Sequence, residues 1–318
     1  MNALLFNLGI LLASLVIMAF SGSYFVDALI GYARKIGMSN YFIGMVVVAV
    51  ATSSPDIATS VMGLISGKPE ILSGVVIGGL MLDAALLNGW FAILARKIKL
   101  DTRVISGIEL PILALIILPY ILLLDGSVSR SEGLVMVISF VAYLLLIWKR
   151  EKSSGRLVRQ IAMRRVSLDI TVFLLALGAM LIAARVAVFS AINLSASWGV
   201  PVYLLSITLL ALASAMPDGI AGTVAILKKK GGEIGFGESI GTSLIEVNLF
   251  TGLVAMFRPF EFGVLGTIIG MIGLIISMTL FMFIMRKGEI RRSHGIVFLA
   301  IYVAYIILEV TRVLYWGA

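Results

Sequence analysis

Apolar residues run along this chain in long blocks, not at the spacing of a surface helix or in the alternation of a strand. Each block approaches the roughly 20 residues that a helix needs to cross a bilayer. Cutting the chain at charged or turn-rich points predicts ten spans, at about 3–33, 39–66, 70–95, 104–124, 132–149, 166–190, 198–227, 233–257, 263–285 and 293–315. The first block, "MNALLFNLGILLASLVIMAF", lacks the basic leader of a signal peptide and continues apolar to Ile30, so it reads as span 1. The expected fold class is an all-α membrane protein with ten transmembrane helices.

Polar residues interrupt these blocks at repeated places. Residues 46–67, "VVVAVATSSPDIATSVMGLISG", hold Thr52, Ser53, Ser54 and Asp56 inside span 2, with Pro55 among them. Residues 37–61 return at 199–224 as "GVPVYLLSITLLALASAMPDGIAGTV". Gly37 then matches Gly199, Tyr41 matches Tyr203, Ala49 matches Ala211, and Pro55-Asp56 matches Pro217-Asp218. Residues 73–89, "SGVVIGGLMLDAALLNG", are echoed by 235–252, "GFGESIGTSLIEVNLFTG", with Asp83 opposite Glu246. The chain therefore divides into a first five-span repeat (1–150), a linker (151–165) and a second five-span repeat (166–318). Five is odd, so the second repeat enters the membrane inverted, as in secondary transporters whose site lies near the midplane.

Proline removes a helix donor and clashes with the preceding turn, yet it suits the first position of a new helix. Spans 2 and 7 are accordingly expected as broken helices, interrupted near 49–53 and 211–215, with Ser54 as an N-cap. Carbonyls freed at such a break ligate a cation where the break faces protein or water.

Charge sets an orientation. Arg34 and Lys35 follow span 1, and Arg96, Lys97, Lys99 and Arg103 follow span 3. Span 5 is followed by the linker, with Lys149, Arg150, Lys152, Arg156, Arg159, Arg164 and Arg165. Lys228 to Lys230 follow span 7, and Arg286, Lys287, Arg291 and Arg292 follow span 9. The other side carries Lys68, Arg130, Arg258 and Arg312. Lys and Arg concentrate in cytoplasmic loops, which predicts a multi-pass plasma-membrane protein with both termini extracellular and the linker cytoplasmic. The net charge of +8 is spread over short loops, so it marks topology and gives no nucleic-acid surface.

Composition narrows the chemistry. The chain is 60% hydrophobic and 13% charged, with no cysteine and one histidine, His294, in the basic stretch "RRSHG". Thiolate sites, disulfides, histidine-ligated metal enzymes and Ser-His-Asp hydrolases lack their material, and no P-loop pattern points to nucleotide use. No enzyme activity and no cofactor are expected. The predicted partners are the lipid bilayer and transported cations, with no obligate protein partner. The fifteen methionines show no soft-metal spacing.

A charge at bilayer depth costs about 2.5–3.5 kcal/mol or more, so intramembrane acids are functional candidates. Asp56, Asp83, Asp218 and Glu246 hold matching places, and a pseudo-two-fold fold is expected to gather all four. Such hard oxygen ligands suit calcium, magnesium or manganese. Thr52, Ser53, Ser214 and Thr242 are read either as ligands or as helix-packing hydroxyls. Gly74, Gly78, Gly79, Gly237 and Gly241 are read as close-packing positions. Asp27, Glu109, Arg185 and Glu309 lack counterparts and are read as interfacial or paired structural charges.

These features resemble the cation/calcium exchanger superfamily, in its sodium/calcium exchanger branch. "AVATSSPD" (49–56) is similar to the family pattern A-x-G-T-S-x-P-E/D, and "SGVVIGGLMLD" to G-N-x-x-G-S-x-x-x-N/D. "ALASAMPD" and "GESIGTSLIE" occupy the same slots in the second repeat. The resemblance implies that Asp56 and Asp218 are the main calcium carboxylates, with Thr52 and Ser214 beside them and Asp83 and Glu246 flanking. It further implies sodium ligands at Ser53, Thr242 and the carbonyls of Ala49 and Ala211, and alternating access by sliding of spans 1 and 6. Asp replaces Glu at both main positions, and Asp83 stands where an amide is usual. Gly79 and Ala215 replace serines, and Ala51 and Ala213 depart from the usual Gly-Thr pairing. Fewer hydroxyls and an added acid weaken the case for sodium and strengthen that for protons as counter-ion, since a crowded carboxylate can hold a proton, and leave magnesium or manganese open as cargo.

The expected function is secondary antiport of a divalent cation, calcium first, for Na+. The alternative is a proton-coupled exchanger of Ca2+, Mg2+ or Mn2+. A passive cation channel and an intramembrane aspartyl protease are the distant alternatives.

Overall fold

The computed structural model describes residues 2–35, 49–99, 109–153, 166–216, 218, 219, 223, 226, 241–261 and 264–316. Linker residues 154–165, the starts of spans 2 and 8, Pro217 and Gly237 lie outside them, as do the side chains of Asp27, Thr52 and Glu109.

The described chain is helical, in ten spans. Five helices are each long and apolar enough to cross a membrane: Leu5–Gly22, Pro69–Ala95, Thr171–Trp198, Leu265–Ile284 and Arg292–Tyr315. Span 2 is built from Ala49–Thr52 and Ser54–Ile65, span 4 from Leu110–Asp125, span 5 from Arg130–Ser153, span 7 from Val202–Ser214 and beyond, and span 8 from Gly241–Phe257. Large apolar side chains such as Leu12, Phe20, Leu175, Phe189, Phe283 and Ile307 are exposed, while Ser53, Asp56, Asp83, Ser214 and Glu246 are buried. In water that arrangement would expose apolar surface far beyond a normal soluble patch; in lipid it costs nothing.

The two repeats are related by inversion, and the loops display it. After span 3, β1 (Lys97–Lys99) pairs antiparallel with β4 (Glu289–Arg291), with Ile98 opposite Ile290 and Lys99 opposite Glu289. After span 4, β2 (Ser127–Val128) pairs with β3 (Phe260–Glu261), with Val128 opposite Phe260 and Ser127 opposite Glu261. The offset that carries Pro55 onto Pro217 turns the first ladder into the second, residue for residue. Glycines repeat the relation: a Cβ on Gly295 would sit 2.6 Å from the Gly89 carbonyl oxygen, and one on Gly133 would sit 2.6 Å from that of Gly252. Spans 3 and 10 therefore touch as spans 8 and 5 do, backbone against backbone. The β1–β4 ladder also carries charge. Arg291 and Lys97 bond Glu289, the latter at 3.2 Å, and hold its carboxyl below the ordinary range.

Two apolar clusters make up the interior. One joins spans 3, 4, 5, 8, 9 and 10 through residues such as Leu80, Met81, Ile112, Met136, Phe281 and Phe298. The other is where span 1 (Leu11, Leu15, Met18) lies along span 6 (Met180, Ala183, Ala184, Ala187, Val188, Ala191), with Ala58, Ile71 and Val75 of spans 2 and 3 beneath.

Three expectations are corrected. Span 6 passes its expected end near 190 and runs Val166–Trp198. Ser197 Oγ bonds back to Asn193 O at 2.8 Å within the helix, while Ser195 Oγ reaches forward to Val200 O at 2.6 Å across the turn that follows. The turn comes at Gly199, with φ +67°, and span 7 restarts after Pro201. Arg312, counted from sequence as a loop charge, is buried within span 10 and donates from Nε and Nη2 to Glu309 Oε2 at 3.1 and 3.0 Å. Ser54 is not an N-cap: Ser53 holds that position without a side-chain cap, and Ser54 Oγ donates instead to Val50 O at 2.9 Å.

Candidate functional site

Span 2 reaches the site through one turn. Ser53, at φ −69° and ψ −9°, links the two helical pieces, donating its N–H to Ala49 O at 3.0 Å and accepting from Ile57 N–H at 2.9 Å. Pro55 in the next turn has no N–H, so the Ala51 carbonyl receives no helical donor. Ala215 repeats the turn in span 7, at φ −80° and ψ −4°, donating to Ala211 O at 3.1 Å and accepting from Gly219 N–H at 3.0 Å. The Ala49 and Ala211 carbonyls thus each accept a main-chain bond.

Spans 3 and 8 carry the other acids on widened turns. Leu82–Leu87 and Ile245–Phe250 are π-helical, and Asp83 and Glu246 occupy the same place in each. Such bulges recur at functional sites because one inserted residue re-aims a side chain.

The acids come together as a pair. Asp56, 3% exposed, accepts a hydrogen bond from the Ser214 hydroxyl, which crosses from the second repeat. Ser214 Oγ also lies 3.0 Å from Ala211 O and 3.1 Å from Leu210 O. The Asp56 carboxylate rests over Gly79 of span 3, where a Cβ would meet its oxygens at 3.5–3.6 Å. Glu246, fully buried, faces Asp56 and Ser53 at close range, with Asp83 within Coulombic reach. Its two carboxylate oxygens and the Ser53 hydroxyl complete no hydrogen bond among the described residues. Buried oxygens without partners are costly, and a cation satisfies several at once.

Of the four acids expected together, Asp56 and Glu246 face each other, with Asp83 within Coulombic reach of Glu246. Among the described residues, no three such side chains stand close enough to chelate one ion. The acids come from four helices, and Ser214 takes up Asp56 Oδ1. Asp83, Asp218 and Thr242 are buried in their spans as expected, whereas the Thr52 side chain lies outside the described residues. Sequence reasoning missed Tyr120, a buried residue of span 4 within Coulombic reach of Glu246. Its signal was Pro119, a proline next to it inside an apolar span.

Comparison with known proteins agrees with the two-repeat fold. The family described as sodium/calcium exchanger protein matches residues 6–149 and 168–311, one segment per repeat. An uncharacterised membrane protein of Methanocaldococcus jannaschii is 27% identical, covering 94% of this chain and 97% of its own length. The sodium/calcium exchanger MaX1 of Methanosarcina acetivorans is 25% identical, covering 95% of this chain and 98% of its own. The solved structure of the sodium-calcium exchanger NCX_Mj superposes with a TM-score of 0.68 at 24% identity, over 96% of this chain and 98% of that one.

Proposed function

This chain belongs to the sodium/calcium exchanger family, and we propose that it works as a secondary antiporter exchanging a divalent cation, calcium first, for Na+ at the site between Asp56 and Glu246. The observation that carries this reading is the pair itself: two buried carboxylates, one from each repeat, facing each other with Ser53 and Ser214 alongside. Two negative charges balance one divalent ion or two monovalent ones. Occupancy by one cargo then disfavours the other, because both compete for the same two carboxylates and like charges repel strongly in a low-dielectric cage. That competition is the physical basis of exchange. Carboxylates, hydroxyls and carbonyls are hard oxygen donors, the set that calcium prefers. Asp218, Asp83, Thr52, Thr242 and the carbonyls of Ala49 and Ala211 are proposed as further ligands along the ion path, beside the pair.

Spans 1 and 6 are the proposed moving part. They pack along one another, and span 6 meets span 1 largely through alanines, a low-relief surface with few interlocking side chains to disengage. The orientation follows from charge, with the basic linker in the cytoplasm and both termini outside the plasma membrane.

The test is calcium flux in proteoliposomes under an imposed sodium gradient, and then under an imposed proton gradient. The sodium gradient is expected to drive calcium, and Asp56→Asn and Asp218→Asn each to abolish that flux. Near-normal uptake in both variants would remove the proposed site. Flux that follows only the proton gradient would remove sodium coupling.

A further inference from the structure

Span 4 carries Pro119 inside the helix Glu109–Leu122. Proline has no N–H, so the carbonyl of Leu115, four residues earlier, loses its helical donor. A side chain from another span replaces it. Asn248 Nδ2 donates to Leu115 O at 3.0 Å, and to Leu244 O of its own helix at 3.3 Å. Asn248 is fully buried and lies two residues after Glu246 in the π-helical segment Ile245–Phe250. The Glu246 carbonyl, in turn, accepts from Thr251 Oγ1 at 2.8 Å.

A π-helical turn holds one more residue than its neighbours, and that extra residue can sit at more than one position along the helix. A slip of one residue rotates a side chain by about 100° around the axis, enough to turn Glu246 away from Asp56. A bond from within the segment to a fixed carbonyl on span 4 removes that freedom. The first repeat does not carry the same tie. Ala85 stands where Asn248 does, Asn88 stands where Thr251 does and bonds Ala84 O of its own helix at 3.2 Å, and Phe281 of span 9 stands where Pro119 does.

We propose that Asn248 is a positioning residue: by bonding the Leu115 carbonyl that Pro119 frees, it holds the π-helical segment in the register that aims Glu246 at Asp56, and so sets divalent affinity. The inference rests on Glu246 belonging to the transport site. In proteoliposomes, Asn248→Ala is expected to raise the half-saturating calcium concentration about five- to tenfold, the scale of one buried hydrogen bond, and to lower the melting temperature. Pro119→Ala restores a main-chain donor to the Leu115 carbonyl without restoring the tie. The double variant Asn248→Ala/Pro119→Ala is therefore expected to regain the melting temperature yet keep the raised half-saturation, and it carries the test should the single variant fold poorly. A wild-type half-saturation in Asn248→Ala, or its recovery together with the melting temperature in the double variant, overturns the proposal. Glu246→Gln separates the two readings. If it leaves half-saturation unchanged, Glu246 leaves the site; if it changes half-saturation and Asn248→Ala does not, only the positioning role fails.

Discussion

Asp56 has three kinds of neighbour: a hydroxyl at Ser214, bare backbone at Gly79 and a second acid at Glu246. The bare backbone is the adjustable one. A Cβ at Gly79 would meet the Asp56 carboxylate at ordinary van der Waals distance, so a serine side chain fits there and adds a hydroxyl beside the acid. Gly79→Ser is expected to lower the half-saturating sodium concentration about two- to fivefold, since one more oxygen ligand is supplied to a weakly held monovalent ion; sodium-dependent calcium flux would measure it, and no change would place Gly79 outside the ion path. Asp56, Ser214 and Glu246 were legible from the duplicated motif. Asn248 was not, because its partner is a carbonyl on a distant span, and residue type alone does not say which carbonyl a proline has freed.

At the scale of elements, proline, glycine and serine decide where helices bend, widen or continue. Pro55 leaves span 2 with a single-residue turn at Ser53, and Ala215 repeats that turn in span 7. Serine misled at two places: Ser54 bonds back to Val50, and the serines near the end of span 6 let that helix run on to Trp198. At Ser54 and Ser197 the hydroxyl satisfies itself on the preceding turn where lipid or protein excludes water. The glycine contacts give a direct test of helix packing. Gly133→Ala and Gly252→Ala each place a methyl under 3 Å from a facing carbonyl oxygen. Each is expected to destabilise the protein by about 1–3 kcal/mol through forced separation of spans 5 and 8. Thermal unfolding in detergent would show the loss, and unchanged midpoints would mean that the spans are not in backbone contact.

Taken whole, the molecule is tied across its repeats on each side of the membrane, by β1 with β4 and by β2 with β3. The β1–β4 ladder adds ion pairs to Glu289. Because that carboxyl is held low, its pairs persist at neutral pH and are lost only as pH falls below the ordinary carboxylate range. The orientation of these faces is testable because the chain has no cysteine. Ser127→Cys is expected to react with a membrane-impermeant maleimide in intact cells, and Lys287→Cys only after permeabilisation; the reverse pattern would invert the proposed topology. Span count, duplication and the burial of four acids were readable from the chain, because bilayer thickness imposes length, inversion imposes an odd repeat, and intramembrane charge is costly enough to be kept from lipid. The pairing of Asp56 with Glu246, the lodging of Arg312 against Glu309 and the Asn248 tie emerged only on folding. The first and last join residues far apart in the chain, with partners chosen by helix rotation and crossing, and the second, within one helix, depends on which face of span 10 is buried; apolar patterning leaves all three undetermined.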